Sequence, residues 1–427
     1  MNTIHRGLTT RLLPKVSRFQ VIFFLLWPFG MLIHSLNHYH ASWAKTIFWL
    51  FCIYFGFVFI YADPSVKGGA DSSRYAAHLI QLYEHHTSFS QLTGQFYRDG
   101  ANLDVYGPLV TWLVAFFTND PRFLFALFAA VFGFFYAQNI WMVLHHIDKR
   151  IGWVLLIFIL TFAFVNPLWK INGVRFWTAS QIFVYGILMY FLKNERKGLF
   201  WCGSAIFVHF SFVFPIFVLL LWFLIPKNAT IFLVFYLMTA FLFEVDISQL
   251  RNVLSDNLPP IFQPRIEGYM GDNYAQAYMN QYHNRSWHII FSRYSFRWVT
   301  YLWIFTAFVT RRKWKQEMPL LYSMFAFALL MGGFVNIIAN MPSGGRFASL
   351  ANAPFYALFI VLLGSRQISW NLDFLKKVSA AFLAFSVLMG IRMAFDYIGV
   401  FTVVGNPCFA FPYDSQLPFI DFIKQLL

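Results

Sequence analysis

Charged side chains are scarce in this sequence. Only 12% of its 427 residues are Asp, Glu, Lys or Arg, whereas a soluble globular chain has about 25%. In their place, 59% of the residues are hydrophobic and 22% are aromatic, with 56 phenylalanines. Apolar runs long enough to cross a bilayer recur along the chain. This composition excludes an ordinary soluble domain. It predicts an all-α polytopic integral membrane protein, a single transmembrane domain over residues 1–427 with about 11–13 transmembrane or re-entrant helices.

Cysteines and nucleotide-binding or metal motifs are also scarce. The three cysteines, Cys52, Cys202 and Cys408, have no paired spacing, which excludes a disulfide framework or a zinc site. The sequence has no GxGxxG, no P-loop and no HExxH, so nothing in it supports nucleotide or zinc-protease chemistry. We therefore expect neither a metal nor a cofactor.

Basic residues exceed acidic ones, with a formal net charge of +14, but they do not form one patch. They fall in short clusters at 11–18, 145–150, 193–198, 311–317 and 366–377. This is the positive-inside pattern, in which basic clusters mark the cytoplasmic ends of membrane spans. It gives no indication of a nucleic-acid partner.

Polar stretches interrupt the apolar runs at three places. The first is a long stretch at 63–105, the second is another at 244–297, and the third is a polar, proline-containing tail at 396–427. With the basic clusters in the cytoplasm, the segments 151–169 and 176–192 form a hairpin. Parity then places the second long polar stretch, 244–297, outside the cytoplasmic face of the membrane.

The run 199–226 is difficult to fit into this topology. As one helix it would reach about 42 Å, which is long for one crossing and short for two. A break at residues 209–215 (HFSFVFP) would give two half-helices that meet near the outer face, as is tolerated where broken helices line a cavity enclosed by protein. A single tilted helix is the alternative, and only parity favours the break.

The segment 68–75 (GGADSSRY) introduces an acid and a base next to an apolar run. If every apolar run crosses the membrane, this segment is cytoplasmic. If 106–118 is re-entrant, or 19–36 lies in the interface, the segment is outside. Topology alone leaves both possibilities open.

Four polar residues near the ends of apolar runs are candidates for a site. Two arginines, Arg175 and Arg346, together with His209, would meet at one membrane face, where they suit an anionic headgroup such as a pyrophosphate. Asp71 is then a candidate base for an acceptor hydroxyl. The alternatives are that the arginines only anchor span ends at the headgroups and that the histidine is structural.

The ordered motifs resemble a known family. GxDxxRY at 69–75, NGVRFWTASQIFVYGILMYF at 172–191, AIFVHFSFVFP at 205–215 and GGRFASLANAPFYALFIVLL at 344–363 are similar to motifs of the EpsG/Wzy-like bacterial polysaccharide polymerases. The stretch 104–130 also resembles the region after the first outer loop in glycosyltransferases of the GT-C type. In those enzymes an aspartate of the early loop is commonly catalytic and faces outside.

The resemblance implies a substrate, a location and a set of roles. The protein would join oligosaccharide repeat units carried on undecaprenyl pyrophosphate at the outer face of the bacterial inner membrane, with a flippase and a chain-length regulator as partners. Arg175 and Arg346 would hold the donor pyrophosphate, and Asp71 would be the base, although Asp99 and Asp104 are alternatives for that role. Arg74 and Tyr75 would position the sugar or the acid, and His209 would orient the donor or share the proton transfer.

Other functions compete with this interpretation. Another GT-C transferase, or a ligase that moves finished polymer to a second lipid, would use the same kind of donor. A flippase for the lipid-linked units is a transporter, and such proteins tend to show internal repeats and charges along a path through the membrane, neither of which is evident. An O-acyltransferase would share the buried histidine but not the arginines.

Overall fold

The protein is almost entirely helical. The computed structural model describes residues 16–61, 71–94, 104–241, 256, 286–339, 343–367, 372–413 and 417–426. About 80% of the structure is helix, and the described residues contain no β-strand. The all-α fold class expected from the composition is confirmed.

The helices are numbered in chain order over the described residues. They are α1 Arg18–Leu26, α2 Pro28–Asn37, α3 Ala44–Phe57, α4 Asp71–Glu84, α5 Phe89–Gly94, α6 Tyr106–Ala115, α7 Pro121–Leu144, α8 Trp153–Val165, α9 Val174–Lys193, α10 Lys197–Val208, α11 Val213–Leu224, α12 Ala229–Phe241, α13 Trp287–Val309, α14 Pro319–Ala339, α15 Arg346–Gly364, α16 Asp373–Ala394, α17 Val400–Val403, α18 Pro407–Ala410 and α19 Phe419–Leu426.

Within the described residues, five helical segments are long and apolar enough to cross a membrane, which supports the prediction of a membrane protein. They are Pro121–Leu144, Trp153–Lys193, Pro319–Ala339, Arg346–Gly364 and Asp373–Ala394. The second of these comprises α8 and α9 with the 3-10 turn Leu168–Gly173 between them. Five shorter apolar helices accompany them. The expectation of 11–13 transmembrane or re-entrant helices stays a prediction.

One end of the bundle gathers the basic clusters. His145, just after α7, interacts electrostatically with Lys193 at the end of α9. The ammonium of Lys149 donates to the carbonyl of Leu363 at the end of α15, at 3.2 Å. The positive charge of Lys376, at the start of α16, repels this ammonium. These contacts define the basic end of the bundle, where α7, α9 and α15 end and α16 begins.

The opposite end, which we call the far end, gathers the starts of α9 and α15 and the end of α10. The ring of Phe176, in the first turn of α9, lies 5.0 Å from that of Phe347 in α15 and 5.5 Å from that of His209. Arg175, beside Phe176, donates a hydrogen bond to the hydroxyl of Tyr75 in α4. The polar turn between α8 and α9 is therefore at the far end, as the hairpin interpretation expects.

The run 199–226 is broken, as parity requires. The helices α10 and α11 have 12 residues each, or about 18 Å, and the 3-10 turn Phe210–Phe212 separates them. A Cβ placed on Gly198, near the start of α10, would lie 2.8 Å from the backbone nitrogen of Tyr190, near the end of α9. His209, just after α10, lies beside Phe176 in the first turn of α9. Helix α10 therefore runs antiparallel to α9. In α11, Trp222 packs near Phe191 at 6.1 Å, so this helix returns to the basic end.

Helix α6 does not cross the bundle. It begins at the far end, where a Cβ on Gly107 would lie 3.0 Å from Cδ of Arg175. The next helix, α7, ends at the basic end and therefore starts at the far end too. The chain thus begins and ends the segment 106–118 at the far end, and Asp71 lies at the same end as Arg175, His209 and Arg346.

Both long polar stretches contain helix. The first holds α4 and α5 among its described residues. The second was expected to extend to residue 297, but α13 already begins at Trp287. Arg293 and Arg297, in the first three turns of α13, lower its hydropathy without preventing a helix, so the helix begins within that stretch. Gly68, Gly69 and Asp99 lie outside the described residues.

Part of the segment expected to be a polar tail packs against the bundle. The hydroxyl of Tyr54 donates to the carbonyl of Phe401 at 2.7 Å. The indole of Trp27 donates to the carbonyl of Val403 at 2.7 Å, and the guanidinium of Arg122 donates to the carbonyl of Phe411 at 3.1 Å. Residues 396–413 therefore connect α2, α3 and α7.

Candidate functional site

A buried ion pair ties three helices together at the far end. Nη1 of Arg175 in α9 donates to Oδ2 of Asp104 at 2.9 Å, and the Asp104 side chain is only 1% exposed. Nε of Arg175 donates to the hydroxyl of Tyr75 in α4 at 3.0 Å. Burial raises the pKa of the Tyr75 phenol above its ordinary value, and the positive charge of Arg175 partly offsets this. The guanidinium charge is thus neutralised by a carboxylate within the protein.

The second oxygen of Asp104 holds the break between α10 and α11. Oδ1 accepts a hydrogen bond from the backbone N–H of Phe210 at 2.7 Å. The preceding residue, His209, has its Nδ1 2.8 Å from the hydroxyl of Ser211. With both oxygens engaged and no access to solvent, Asp104 fixes the turn that carries His209 and is poorly placed to act as a base.

Asp71 begins α4 and is paired with Arg74 one turn later. Its side chain is 25% exposed. Oδ2 of Asp71 and Nε1 of Trp177 both lie 3.4 Å from the position that a Cβ on Gly173 would occupy. The Asp71 carboxylate and the edge of the Trp177 indole therefore both lie beside Gly173.

Trp177 also lines a cavity of about 760 Å³. Four basic side chains line it: Lys170, Arg293, Arg297 and Arg346. The lining residues in the described part of the chain include no Asp or Glu. Hydroxyl and amide side chains complete the polar surface; they are Thr239, Ser292, Thr300, Asn336, Ser343, Ser349, Asn352 and Ser386.

None of the four cations has a counter-ion within the described residues, and Lys170 and Arg346 lie near each other. The ammonium of Lys170 lies 4.5 Å from the centre of the Trp177 ring. The positive charge of Arg346 repels this ammonium. Neither cation has a carboxylate or hydrogen-bond acceptor in that part of the chain. A partly buried cation pair without an anion is costly, so this arrangement favours an anionic ligand.

The predicted site residues fall into two neighbouring groups at the far end. Asp71, Arg74, Tyr75, Arg175 and His209 belong to the ion-pair side. Arg346 lines the cavity, whereas Arg175 is not among its described lining residues. The two arginines expected to hold one pyrophosphate therefore have different surroundings.

Sequence reasoning missed three of the four cavity cations. Lys170 lies in the polar turn before α9. Arg293 and Arg297 lie within the polar stretch 244–297, where hydropathy predicts no membrane helix. Their spacing of four residues is the signal that could have found them, because it places two side chains on one face of a helix.

Comparison with protein-family models, curated proteins and solved structures gives no significant match. A functional assignment therefore depends on the geometry of the two groups and on the resemblance of the motifs.

Proposed function

We propose that the protein is a glycosyltransferase that polymerises oligosaccharide repeat units linked to undecaprenyl pyrophosphate. The observation that carries this proposal is the cavity with Lys170 and Arg346, two neighbouring cations that no carboxylate of the described residues neutralises. Arginine and lysine are the usual partners of phosphate oxygens. A lipid-linked diphosphate supplies the missing negative charge, and the cavity's hydroxyls and amides suit the attached sugars.

The proposed step transfers the glycan from one lipid diphosphate to the hydroxyl of another unit. The acceptor oxygen forms a bond to the anomeric carbon of the donor while the bond from that carbon to the phosphate oxygen breaks. Asp71 takes the proton of the acceptor hydroxyl. Undecaprenyl pyrophosphate leaves with the bonding electron pair, and Lys170 and Arg346 stabilise the charge that develops on it.

The remaining predicted residues support this arrangement. Arg74 pairs with Asp71 and orients its carboxylate for its role as base. Tyr75 and Arg175 fix α4 against α9, which holds Asp71 beside Trp177. His209, in the turn held by Asp104, orients the donor or shares the proton transfer.

The orientation follows from the positive-inside pattern. The basic end gathers the clusters at 145–150 and 193–198, which are retained in the cytoplasm. The far end then faces the exterior of a bacterial inner membrane. A flippase supplies the units to that face, and a chain-length regulator acts with the polymerase.

The test uses the full-length protein in lipid nanodiscs with undecaprenyl-pyrophosphate-linked repeat units. We expect polymer growth with release of one free undecaprenyl pyrophosphate for each bond formed. Lys170→Ala and Arg346→Ala should each lower the rate by about 100-fold or more. Lys376→Ala at the basic end, which also removes a cation, is the matched control and should retain the rate.

Two results would contradict the proposal. One is polymer formation that persists in both cavity variants. The other, observed in sealed vesicles, is movement of the intact lipid-linked unit across the bilayer without release of pyrophosphate, which would identify a transporter.

A further inference from the structure

The cavity of about 760 Å³, which we call the basic cavity, carries more positive charge than a lipid-linked diphosphate needs. Its four cations are Lys170, Arg293, Arg297 and Arg346. A diphosphate esterified at one end to a lipid and at the other to a sugar has one ionised oxygen on each phosphorus. Lys170 and Arg346, which lie near each other, match those two negative charges. Arg293 and Arg297 remain without a carboxylate partner in the described part of the chain.

The two pairs of cations belong to different walls of the basic cavity. Lys170 lies in the turn between α8 and α9, and Arg346 begins α15. Arg293 and Arg297 lie on α13, and their spacing of four residues places them on one helix face. Nη2 of Arg297 donates to the carbonyl of Ala240 in α12 at 3.3 Å. The second pair therefore belongs to the wall that α12 and α13 form.

The orientation of the Arg297 guanidinium is fixed by two neutral acceptors. Nε donates to the hydroxyl of Tyr301 at 2.7 Å, and Nη2 donates to the carbonyl of Ala240. These acceptors leave the positive charge uncompensated, and within the described residues they leave the N–H groups of Nη1 available to a ligand. A guanidinium that is already oriented loses little freedom when it binds a carboxylate, whose planar geometry it matches.

Neutral polar groups follow Arg346 along α15. Ser349 and Asn352 succeed it at intervals of three residues, so the three side chains share one face of the helix, and all three line the basic cavity. Hydroxyl and amide groups suit the hydroxyls of a sugar. A cavity of about 760 Å³ has the size of sites that hold one small ligand. The basic cavity therefore suits a diphosphate together with the sugar attached to it.

We propose that the sugar attached to the donor diphosphate is acidic and that Arg293 and Arg297 bind its carboxylate. This inference rests on the proposed function, because it takes Lys170 and Arg346 to hold the diphosphate. The diphosphate and the carboxylate together carry three negative charges, and a fourth develops on the diphosphate as it leaves. The ligand then matches the four cations of the basic cavity in the transition state.

The acceptor is the other source of an anion, because it also carries a diphosphate. Its diphosphate lies a whole repeat unit away from the hydroxyl that reacts, whereas the donor diphosphate is bonded directly to the reacting carbon. A cavity with the size of a site for one small ligand therefore favours a carboxylate on the donor sugar over a second diphosphate.

The test measures the binding of three probes to the full chain in phosphatidylcholine nanodiscs. Two are geranyl diphosphate-linked glucose and geranyl diphosphate-linked glucuronic acid, which differ only in the group at C6; the third is inorganic diphosphate. Arg293→Gln and Arg297→Gln each remove one charge from the proposed carboxylate site. Arg312→Gln makes the same change on an exposed side chain just beyond the other end of α13, outside the cavity lining, and is the matched control.

We expect the unmodified protein and Arg312→Gln to bind the glucuronic acid probe about tenfold more tightly than the glucose probe, because hydrogen bonds between charged groups are stronger than neutral ones. Arg293→Gln and Arg297→Gln should each lose most of this preference and keep their affinity for the glucose probe. One inorganic diphosphate should bind to each chain, as measured by calorimetry, and its affinity should not change in the two variants.

The results that would overturn the proposal are distinguishable. Equal affinity of the unmodified protein for the two sugar probes would overturn the acidic-sugar proposal alone. Equal weakening of both sugar probes by Arg293→Gln and Arg297→Gln would assign the arginines to the diphosphate. A second inorganic diphosphate that binds as tightly as the first, and is lost in Arg293→Gln, would place the acceptor's diphosphate there. If none of the three probes binds, the proposed function fails, and the acidic-sugar proposal fails with it.

Discussion

Two aspartate–cation pairs show how burial decides the role of a residue in this protein. Asp104–Arg175 and Asp373–Lys376 have the same N···O distance of 2.9 Å. Asp104 is 1% exposed, whereas Asp373 is 81% exposed. Removing one partner of a buried pair leaves an uncompensated charge, while water replaces the lost partner at the surface. The first pair is therefore structural, and the second contributes little.

We expect Asp104→Ala to lower the free energy of unfolding by about 3 kcal/mol. The variant leaves the Arg175 guanidinium without its carboxylate and the Phe210 N–H without its acceptor. Asp373→Ala, which breaks an exposed pair of the same length, should change it by less than about 1 kcal/mol. Denaturation of the purified variants in detergent measures both values, and equal effects would show that burial of the Asp104 pair is not what stabilises the far end.

At the scale of helices, glycines allow α9 and α10 to approach closely. A Cβ on Gly198 would lie 2.3 Å from the carbonyl oxygen of Gly186, and a Cβ on Gly186 would lie 2.5 Å from that of Gly198. Small residues at such contacts are typical of helix pairs in membranes, because close backbone approach increases packing between them. This contact sets the position of α10 and hence of the His209 turn.

Gly198→Leu should separate α9 from α10 and lower the free energy of unfolding by about 2 kcal/mol. Gly203→Leu is the matched control on the same helix, since a Cβ there meets no heavy atom within 4 Å. Thermal unfolding of the two variants distinguishes them. If Gly203→Leu destabilises as much as Gly198→Leu, the effect belongs to bulk on α10 and not to the α9–α10 contact.

Much of this helical architecture could be predicted from the sequence, because apolar runs and charge clusters determine which segments enter a membrane. The break at 209–215 is an example: a parity argument found it, and the structure has it at Phe210–Phe212. The start of α13 could not be found by hydropathy, since Arg293 and Arg297 make its first turns polar. Their side chains line the cavity, so the polar part of this helix belongs to the candidate site.

The candidate site was predicted less completely than the fold. Asp71, Arg175, His209 and Arg346 do lie at one end, but their individual environments depend on long-range contacts. The neutralisation of Arg175 by Asp104 joins residues 71 positions apart. No local pattern in the sequence indicates that pairing, or the approach of Lys170 to Arg346.

At the scale of the whole molecule, the two ends of the bundle carry different sets of residues. The basic end holds the ends of α7, α9 and α15, and the far end holds both groups of candidate site residues. Helix α6 begins at the far end and α7 starts there, so the turn between them also belongs to the far end. The proposed outward orientation of the far end can be tested without any assay of activity.

Labelling of single cysteines in intact cells tests that orientation. Asn119→Cys places an exposed thiol after α6, and Gln367→Cys places one after α15, each in a Cys408→Ser background because the other two cysteines are buried. A membrane-impermeant maleimide should label position 119 in intact cells and position 367 only after permeabilisation. The reverse pattern would put the far end in the cytoplasm and contradict the proposed location of the reaction.

The central claim is that the basic cavity and Asp71 together join lipid-linked repeat units. Its most direct test is the length of surface polysaccharide, resolved on a gel, in cells whose own copy is replaced by Asp71→Ala, Lys170→Ala, Arg346→Ala or the control Lys376→Ala at equal membrane levels. We expect the first three to lose the polymer ladder while single units still reach the cell surface, and Lys376→Ala to keep it. An unchanged ladder in the three site variants would contradict the account.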